Sequence, residues 1–294
     1  ATLLERVVEG IPSDLVDEVI VAGGYKVEQI RDYFRDADVD FDVRIVPEDE
    51  PLGTGGALGN CRDVISGQFA CFNGDIVSSL NVGEMLEQHK TMNVKGTLAL
   101  WEVEDPTRFG IVGIDEKRQI TQFKEKPKPE EVFSNLINAG SYLLEEEVFE
   151  IMPKGKHSLE RDVFPILAEE GYLAGFPFEG YFIDAGTPQS WHQGVLQCIE
   201  SNRFSSGSVS NGSWHRKDVS TAINSMIEEG CTIDGNVSDS TVLEGAKISA
   251  GAVVHGCLVG KGASIGSNAY LENVIIDHHA VIPSGYKQTQ GSFN

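Results

Sequence analysis

A spacing of 17 residues dominates the last quarter of the chain. It separates Val242, Val259 and Ile276, and likewise Ile248, Ile265 and Ile282. Val254 and Leu271 keep the same step, as do Ala246, Ala263 and Ala280, and Gly245 and Gly262. Within each period an apolar residue returns about every six positions, often followed by Gly, Ser, Asp or Glu, as in Ile248-Ser-Ala-Gly-Ala and Ile265-Gly-Ser-Asn-Ala. Neither the 3.6-residue period of a helix nor the two-residue alternation of a strand produces this pattern. A coil of three short strands does: one apolar side chain per face fills a prism, and small residues turn its corners. Residues 226–294 are therefore expected to form a β-helix of hexapeptide repeats.

Residues 1–200 follow a different grammar. Short apolar runs such as Glu18–Ala22, Val43–Val46, Phe69–Phe72 and Gly96–Val103 alternate with amphipathic stretches such as Lys26–Phe34, Thr54–Arg62 and Asn81–Thr91. That alternation predicts crossover helices on a mainly parallel sheet. Beyond Trp101 strands outnumber helices, at 111–114, 120–124 and 137–144, so the second part reads as mixed α+β. Residues 201–225 are rich in Ser and Gly and read as a linker.

Composition narrows the function. With 23 Lys and Arg against 45 Asp and Glu, the net charge is −22. Nucleic acid and anionic membranes both call for a basic surface, so neither is an expected partner. No apolar run approaches the ~18 residues of a membrane span, and the first residues carry no signal-peptide pattern. Five widely spaced cysteines without C-x-x-C spacing argue against zinc or a disulfide framework and for a cytoplasmic protein. The seven histidines show no metal spacing, and His278-His279 falls at a corner or interface of the repeat.

Several segments carry candidate chemistry. In Glu48-Asp-Glu-Pro51-Leu52-Gly53-Thr54-Gly-Gly-Ala57 the glycines allow a ligand close to the backbone, and the helix that follows offers its N-terminus to an anionic or polar group. It is neither a Walker A loop nor a G-x-G-x-x-G fingerprint. Asn73-Gly74-Asp75 and Phe182-Ile-Asp184 each end a strand with a carboxylate, where open α/β sheets bind ligands and where an Asp suits Mg²⁺. Glu125-Lys126 before Pro127 pairs a carboxylate and a cation suited to sugar hydroxyls and a phosphate. Asn138-Ala-Gly140 opens a further strand with an amide and a glycine, which a plain turn also explains.

Taken in order, these blocks, with Phe109-Gly-Ile-Val112, Glu160-Arg-Asp162 and Asp184-Ala-Gly-Thr-Pro188, resemble the sugar-phosphate nucleotidyltransferases, or NDP-sugar pyrophosphorylases, which commonly end in a left-handed β-helix. The resemblance covers nearly the whole chain. It implies a Rossmann-like α/β domain with a mixed sheet, and a Mg²⁺-dependent attack of a sugar 1-phosphate on the α-phosphorus of an NTP. Asp75 and Asp184 would hold Mg²⁺. Lys126 would contact the sugar phosphate, and Glu125, Asn138 and Gly140 the sugar. Glu48, Pro51, Leu52, Gly53 and Thr54, with Gly74, would face the nucleotide. The family's Gly-rich loop ending in Gly-Thr-Arg, with a downstream Lys-Pro, has no counterpart here. The expectation is a chain lacking roughly 25–30 residues at its start, including the first strand; the alternative is a non-catalytic regulatory paralogue.

The loop looks most like that of guanylyltransferases acting on mannose 1-phosphate. Thymidylyl- and uridylyltransferases more often carry Gln where this chain has Glu48. A carboxylate there accepts from guanine N1–H and N2–H₂ together, whereas uracil or thymine would oppose it with carbonyl oxygens. Thymidylyl or uridylyl transfer to glucose 1-phosphate is the runner-up, and an acyltransferase role for the β-helix is a third reading. The β-helix is expected to serve homo-oligomer assembly rather than chemistry, set apart by the linker.

Overall fold

The apolar runs and amphipathic stretches become alternating strands and helices in the computed structural model, which describes residues 2–9, 11–37, 39, 41–201, 212–215 and 222–294. In chain order these are α1 (Leu3–Glu9), β1 (Glu18–Gly23), α2 (Val27–Asp36), β2 (Asp42–Pro47), α3 (Gly53–Asn60), β3 (Phe69–Phe72), β4 (Ile76–Ser78), α4 (Val82–Met92), β5 (Gly96–Glu102), β6 (Gly110–Ile114), β7 (Ile120–Glu125), β8 (Leu136–Leu144), α5 (Val148–Ile151), α6 (Phe164–Glu169), β9 (Leu173–Pro177), β10 (Phe182–Asp184) and α7 (Pro188–Glu200). Short coil strands follow to the end of the chain. Leu4–Phe182 form one compact unit, and Ile183–Asn294, with residues 1–3, form the other. No helix among the described residues is long and apolar enough to cross a membrane.

The first unit is organised by β8. Six of its nine residues, from Ala139 to Leu144, are buried in unbroken sequence, the mark of a strand covered on both faces. One edge of β8 pairs with β5 along its length; the other takes β6 near its start and β3 near its end. The sheet runs β7-β6-β8-β5-β9, with β3 also on β8. Only β5–β9 is a parallel pair in it. Parallel pairing of the kind expected from the alternating pattern is seen in that pair and in β1–β2, which form a separate two-stranded sheet. Helix α6 packs on β7 and β9. There Phe164 stands edge-on to Phe123 and Tyr142, with Leu98, Leu144, Leu167 and Leu173 fully buried nearby. Each such side chain contributes about 1.5–3 kcal/mol by leaving water.

β8 is also irregular where it matters. Leu98 faces Tyr142 and Leu100 faces Asn138, so β8 advances four residues while β5 advances two. The surplus forms a bulge at Ala139–Ser141, and Gly140 takes φ +65° within it. Bulges re-aim side chains at sheet edges. This one places Asn138 and Gly140 beside the end of β3.

In the second unit the coil strands stack as parallel ladders into three sheets. The ladder step is 17 residues from Asn236 onward, as the repeat requires; the first step is 15, pairing Ala222 with Val237 and Met226 with Thr241. Val242, Val259 and Ile276 fill one interior column, and Ile248, Ile265 and Ile282 another. Corners take left-handed backbone, which is why Gly, Asn and Asp recur there: Asp239, Gly256 and Asn273 form one column, and Gly245, Gly262 and His279 another. His279 therefore sits at a corner, as expected. A third column, Ser225, Ser240, Cys257 and Val274, is buried, and each hydroxyl or thiol accepts the next coil's backbone N–H.

Helix α7 packs on the coil strands Ser225–Glu228, Thr241–Val242 and Leu258–Val259. By packing it belongs with the β-helix, although the sequence pattern groups it with residues 1–200. Residues 202–211 and 216–221 of the expected linker lie outside the described residues; within it, Gly212–His215 pairs antiparallel with Ser225–Glu228.

Candidate active site

Four of the segments singled out in the sequence lie in the first unit, and hydrogen bonds tie three of them into two assemblies. In the first, Asn73 donates its backbone N–H to the carbonyl of Gly140 (2.8 Å). A Cβ at Gly140 would lie 2.6 Å from Asn73 Nδ2, so only glycine admits this approach. Asn138 accepts from the Gly140 N–H (3.1 Å), and its amide donates to the hydroxyl of buried Tyr142 (3.0 Å). The bulge of β8 thus locks the turn that carries exposed Gly74 and Asp75.

The second assembly surrounds the Gly-rich segment. The carbonyl of Leu52 accepts from His157 N (3.0 Å), and the carbonyl of His157 accepts from both Gly55 N (3.1 Å) and Gly56 N (3.2 Å). The His157 ring lies beneath Gly55, where a Cβ would come within 2.5 Å of Nε2. The Thr54 hydroxyl donates to Glu160 Oε2 (2.6 Å) and accepts from Leu159 N (3.0 Å). Ser158 donates to the same carboxylate oxygen (2.7 Å). This changes the reason for the glycines. They were expected to admit a ligand and to free the N-terminus of α3; two of its first N–H groups are instead taken by the chain's own residue 157. Gly53 and Thr54 remain exposed on the outer side.

Glu48, at the end of β2, is half-buried against Gly24; its backbone N–H donates to Gly23 O (3.0 Å) and its Oε1 accepts a long bond from Leu52 N (3.4 Å). Its other carboxylate oxygen has no partner among the described residues. Glu125 ends β7 over Gly110, where a Cβ would meet its Oε2 at 2.8 Å. Burial raises the Glu125 pKa, and the Glu160 carboxylate adds to the rise. The neighbouring Lys126 is 62% exposed and holds its Nζ 4.0 Å from Glu125 Oε1. Its backbone sits at φ +46°, anchored by its N–H on Phe109 O (2.9 Å). A lysine in left-handed backbone is uncommon, and such strain concentrates at functional positions.

Asp184 closes β10. Its Oδ1 accepts from Gly186 N (3.1 Å), and α7 then starts with a reciprocal cap between Thr187 and Ser190 and Pro188 in the first turn. Asp75 and Asp184 are both exposed hard-oxygen donors. Mg²⁺ is commonly held by one or two carboxylates with several waters and substrate phosphates, and each of these carboxylates is a donor of that type. No group of three or more His, Cys, Asp or Glu side chains among the described residues is placed to hold a metal by itself.

His157 and Glu160 were not singled out as site residues from the sequence. His157 acts through its backbone carbonyl, which residue type does not reveal, and Thr54, the partner that ties Glu160 to the Gly-rich segment, lies 106 positions away.

A family profile described as nucleotidyl transferase matches residues 1–201, and one described as GlmU-like, C-terminal hexapeptide matches residues 211–288. The chain is 29% identical over 283 residues to mannose-1-phosphate guanylyltransferase 1 of Arabidopsis thaliana, covering 94% of this chain and 77% of that one. It is 30% identical over 267 residues to mannose-1-phosphate guanylyltransferase of Mycobacterium tuberculosis, covering 89% and 67%. Among solved structures, HddC from Yersinia pseudotuberculosis aligns with a TM-score of 0.55 at 30% identity, over 65% of this chain and 83% of that one. A second structure of HddC, complexed with GMP-PN, aligns with a TM-score of 0.54.

Proposed function

Because the chain belongs to the nucleotidyl transferase family, we propose that it transfers GMP from GTP to mannose 1-phosphate. A phosphate oxygen of the sugar 1-phosphate attacks the α-phosphorus of GTP. The bond from the α-phosphorus to the bridging oxygen breaks, pyrophosphate leaves, and GDP-mannose forms. The observation that carries this reading is the pair of locked assemblies: Thr54 and the Gly-rich segment are pinned from behind, while Asn138, Gly140 and the Asp75 turn are held by the β8 bulge. Rigid positioning of this kind is what phosphoryl transfer asks of a protein, since little covalent work falls to its side chains.

In this reading Glu48 accepts from guanine through the carboxylate oxygen left unpaired, and Pro51, Leu52, Gly53, Thr54 and Gly74 line the nucleotide. The names of the relatives and the GMP-PN complex of HddC support guanine. Glu125, Asn138 and Gly140 hold the sugar hydroxyls, and Lys126 draws in the sugar phosphate. Asp75 and Asp184 would be ligands of Mg²⁺, which when bound would neutralise charge on the phosphates. The test is pyrophosphate release with mannose 1-phosphate and GTP, dTTP or UTP in turn, alongside equilibrium binding of GDP-mannose and UDP-glucose. GTP and GDP-mannose are expected to be preferred. Preference for dTTP or UTP, or for UDP-glucose, would overturn the choice of base. Binding of GDP-mannose without turnover would favour a regulatory paralogue.

A further inference from the structure

Helix α7 starts four residues after Asp184 and lies on the β-helix. Its second turn carries His192, which is buried at 7% exposure, with Nδ1 2.8 Å from the hydroxyl of Thr241. Thr241 is fully buried on its coil strand. His192 Nε2 is buried as well and has no hydrogen-bond partner among the described residues. Apolar packing alone tolerates small rotations and slides of a helix. A single directional bond between two buried polar groups does not, because losing it leaves both without water. The pair therefore fixes the rotation and register of α7 on the coil strands.

The register passes to Asp184 through a short series of bonds. The cap between Thr187 and Ser190 sets where α7 begins, and Pro188 fixes the backbone of its first turn. Gly186 N then bonds Asp184 Oδ1 at 3.1 Å, which orients the carboxylate. Each member from Asp184 to Thr241 lies in the same compact unit. We propose that the His192–Thr241 bond positions α7 and, through it, the turn that presents Asp184. The β-helix thereby acts as a positioning device for a carboxylate of the transfer site, in addition to any part in assembly. Its consequence for turnover rests on Asp184 being a Mg²⁺ ligand, whereas the positioning is measured independently of that reading.

The experiment uses the full chain with Thr241→Val, which removes the hydroxyl and keeps the shape. Amide hydrogen exchange over 183–190 is compared with exchange over coils 247–276, and the Mg²⁺ concentration giving half-maximal pyrophosphate release is measured in parallel. Exchange at 183–190 is expected to quicken about three- to tenfold, the span set by one hydrogen bond, while the coils keep their protection. Half-saturating Mg²⁺ is expected to rise by a similar factor, and Thr241→Ser, which keeps the hydroxyl, to match the parent protein. Should Thr241→Val not fold, the double variant His192→Leu with Thr241→Val leaves no orphaned polar group and serves in its place. Unchanged exchange at 183–190 in a folded variant overturns the proposal. So does equal acceleration across the coils, which marks global destabilisation. Local acceleration with an unchanged Mg²⁺ response, repeated in Asp184→Asn, supports the positioning and overturns the metal assignment.

Discussion

At the scale of single residues, a glycine and a histidine a hundred positions apart define one site wall. Gly55 sits on the His157 ring, whose Nδ1 lies 2.8 Å from Gly155 O and whose Nε2 is buried without a partner among the described residues. A methyl at position 55 has to displace that ring, and the ring cannot turn without giving up its bond to Gly155. Overpacking of this type costs about 1–3 kcal/mol. Gly55→Ala is therefore expected to lower thermal stability by that amount and to raise the KM for GTP, since Thr54 is next in the chain. A denaturant melt and a nucleotide titration check both. An unchanged midpoint would show that the ring yields freely and that the wall is not rigid. The glycines themselves were legible in the sequence, because few segments carry three in four positions between a strand and a helix. Their physical reason was not. It lies in a backbone carbonyl and a ring supplied from residue 157, and neither leaves a trace in local spacing.

At the scale of elements, α7 shows how burial makes a helix dependent on pH. Burial pushes the His192 imidazole below its ordinary pKa of 6.5, while the Asp239 carboxylate and the backbone carbonyls of Gly256 and Asp239 pull it back up. The unfolded chain thus takes up this proton at a higher pH than the folded one. The stabilisation from burying the neutral ring is complete above about pH 6.5. It is lost as pH falls through the lower folded value, because protons then favour the unfolded state. His192→Gln has nothing to titrate there and is expected to show a flatter dependence of melting temperature on pH between about 5 and 7. Parallel slopes for the two proteins would show that His192 is not the titrating group. The elements differ in how clearly the sequence announced them. From Asn236 onward the coils keep the 17-residue step because each interior position favours an apolar side chain and each left-handed corner favours Gly, Asn or Asp. The direction of the strands did not follow from alternation, since a strand pairs antiparallel with β8 whether or not a helix precedes it. The attachment of α7 to the β-helix was hidden because its buried residues, His192, Gly194, Cys198 and Ile199, do not reveal in sequence what they pack against, and the polar partner of His192, Thr241, lies 49 positions on.

At the scale of the whole molecule, the expected assembly would depend on the faces the β-helix leaves open and on charge. One of its sheets is already covered by α7. The outward positions of a second are Thr232, Lys247, Ser264 and Val281, and Val281 stands 69% exposed. Against this stands the net charge of −22, which makes copies repel one another at low ionic strength. Salt screens that repulsion over a Debye length of about 10 Å at 0.1 M, while an apolar contact is left in place. A homo-oligomer formed through residues 226–294 is therefore expected to gain mass as salt is raised, and closed two-fold symmetry is the simplest form for it. Val281→Glu places a carboxylate on the open face and is expected to lower the mass toward the monomer at every salt concentration. It is expected to leave pyrophosphate release per chain unchanged, because Val281 lies on a different sheet of the β-helix from the one on which α7 packs. Light scattering of both proteins between about 0.05 and 0.5 M salt decides the matter on the scale that screening sets. A monomer throughout, or a mass that falls as salt rises, would remove the β-helix from any role in assembly and leave it only the positioning of α7.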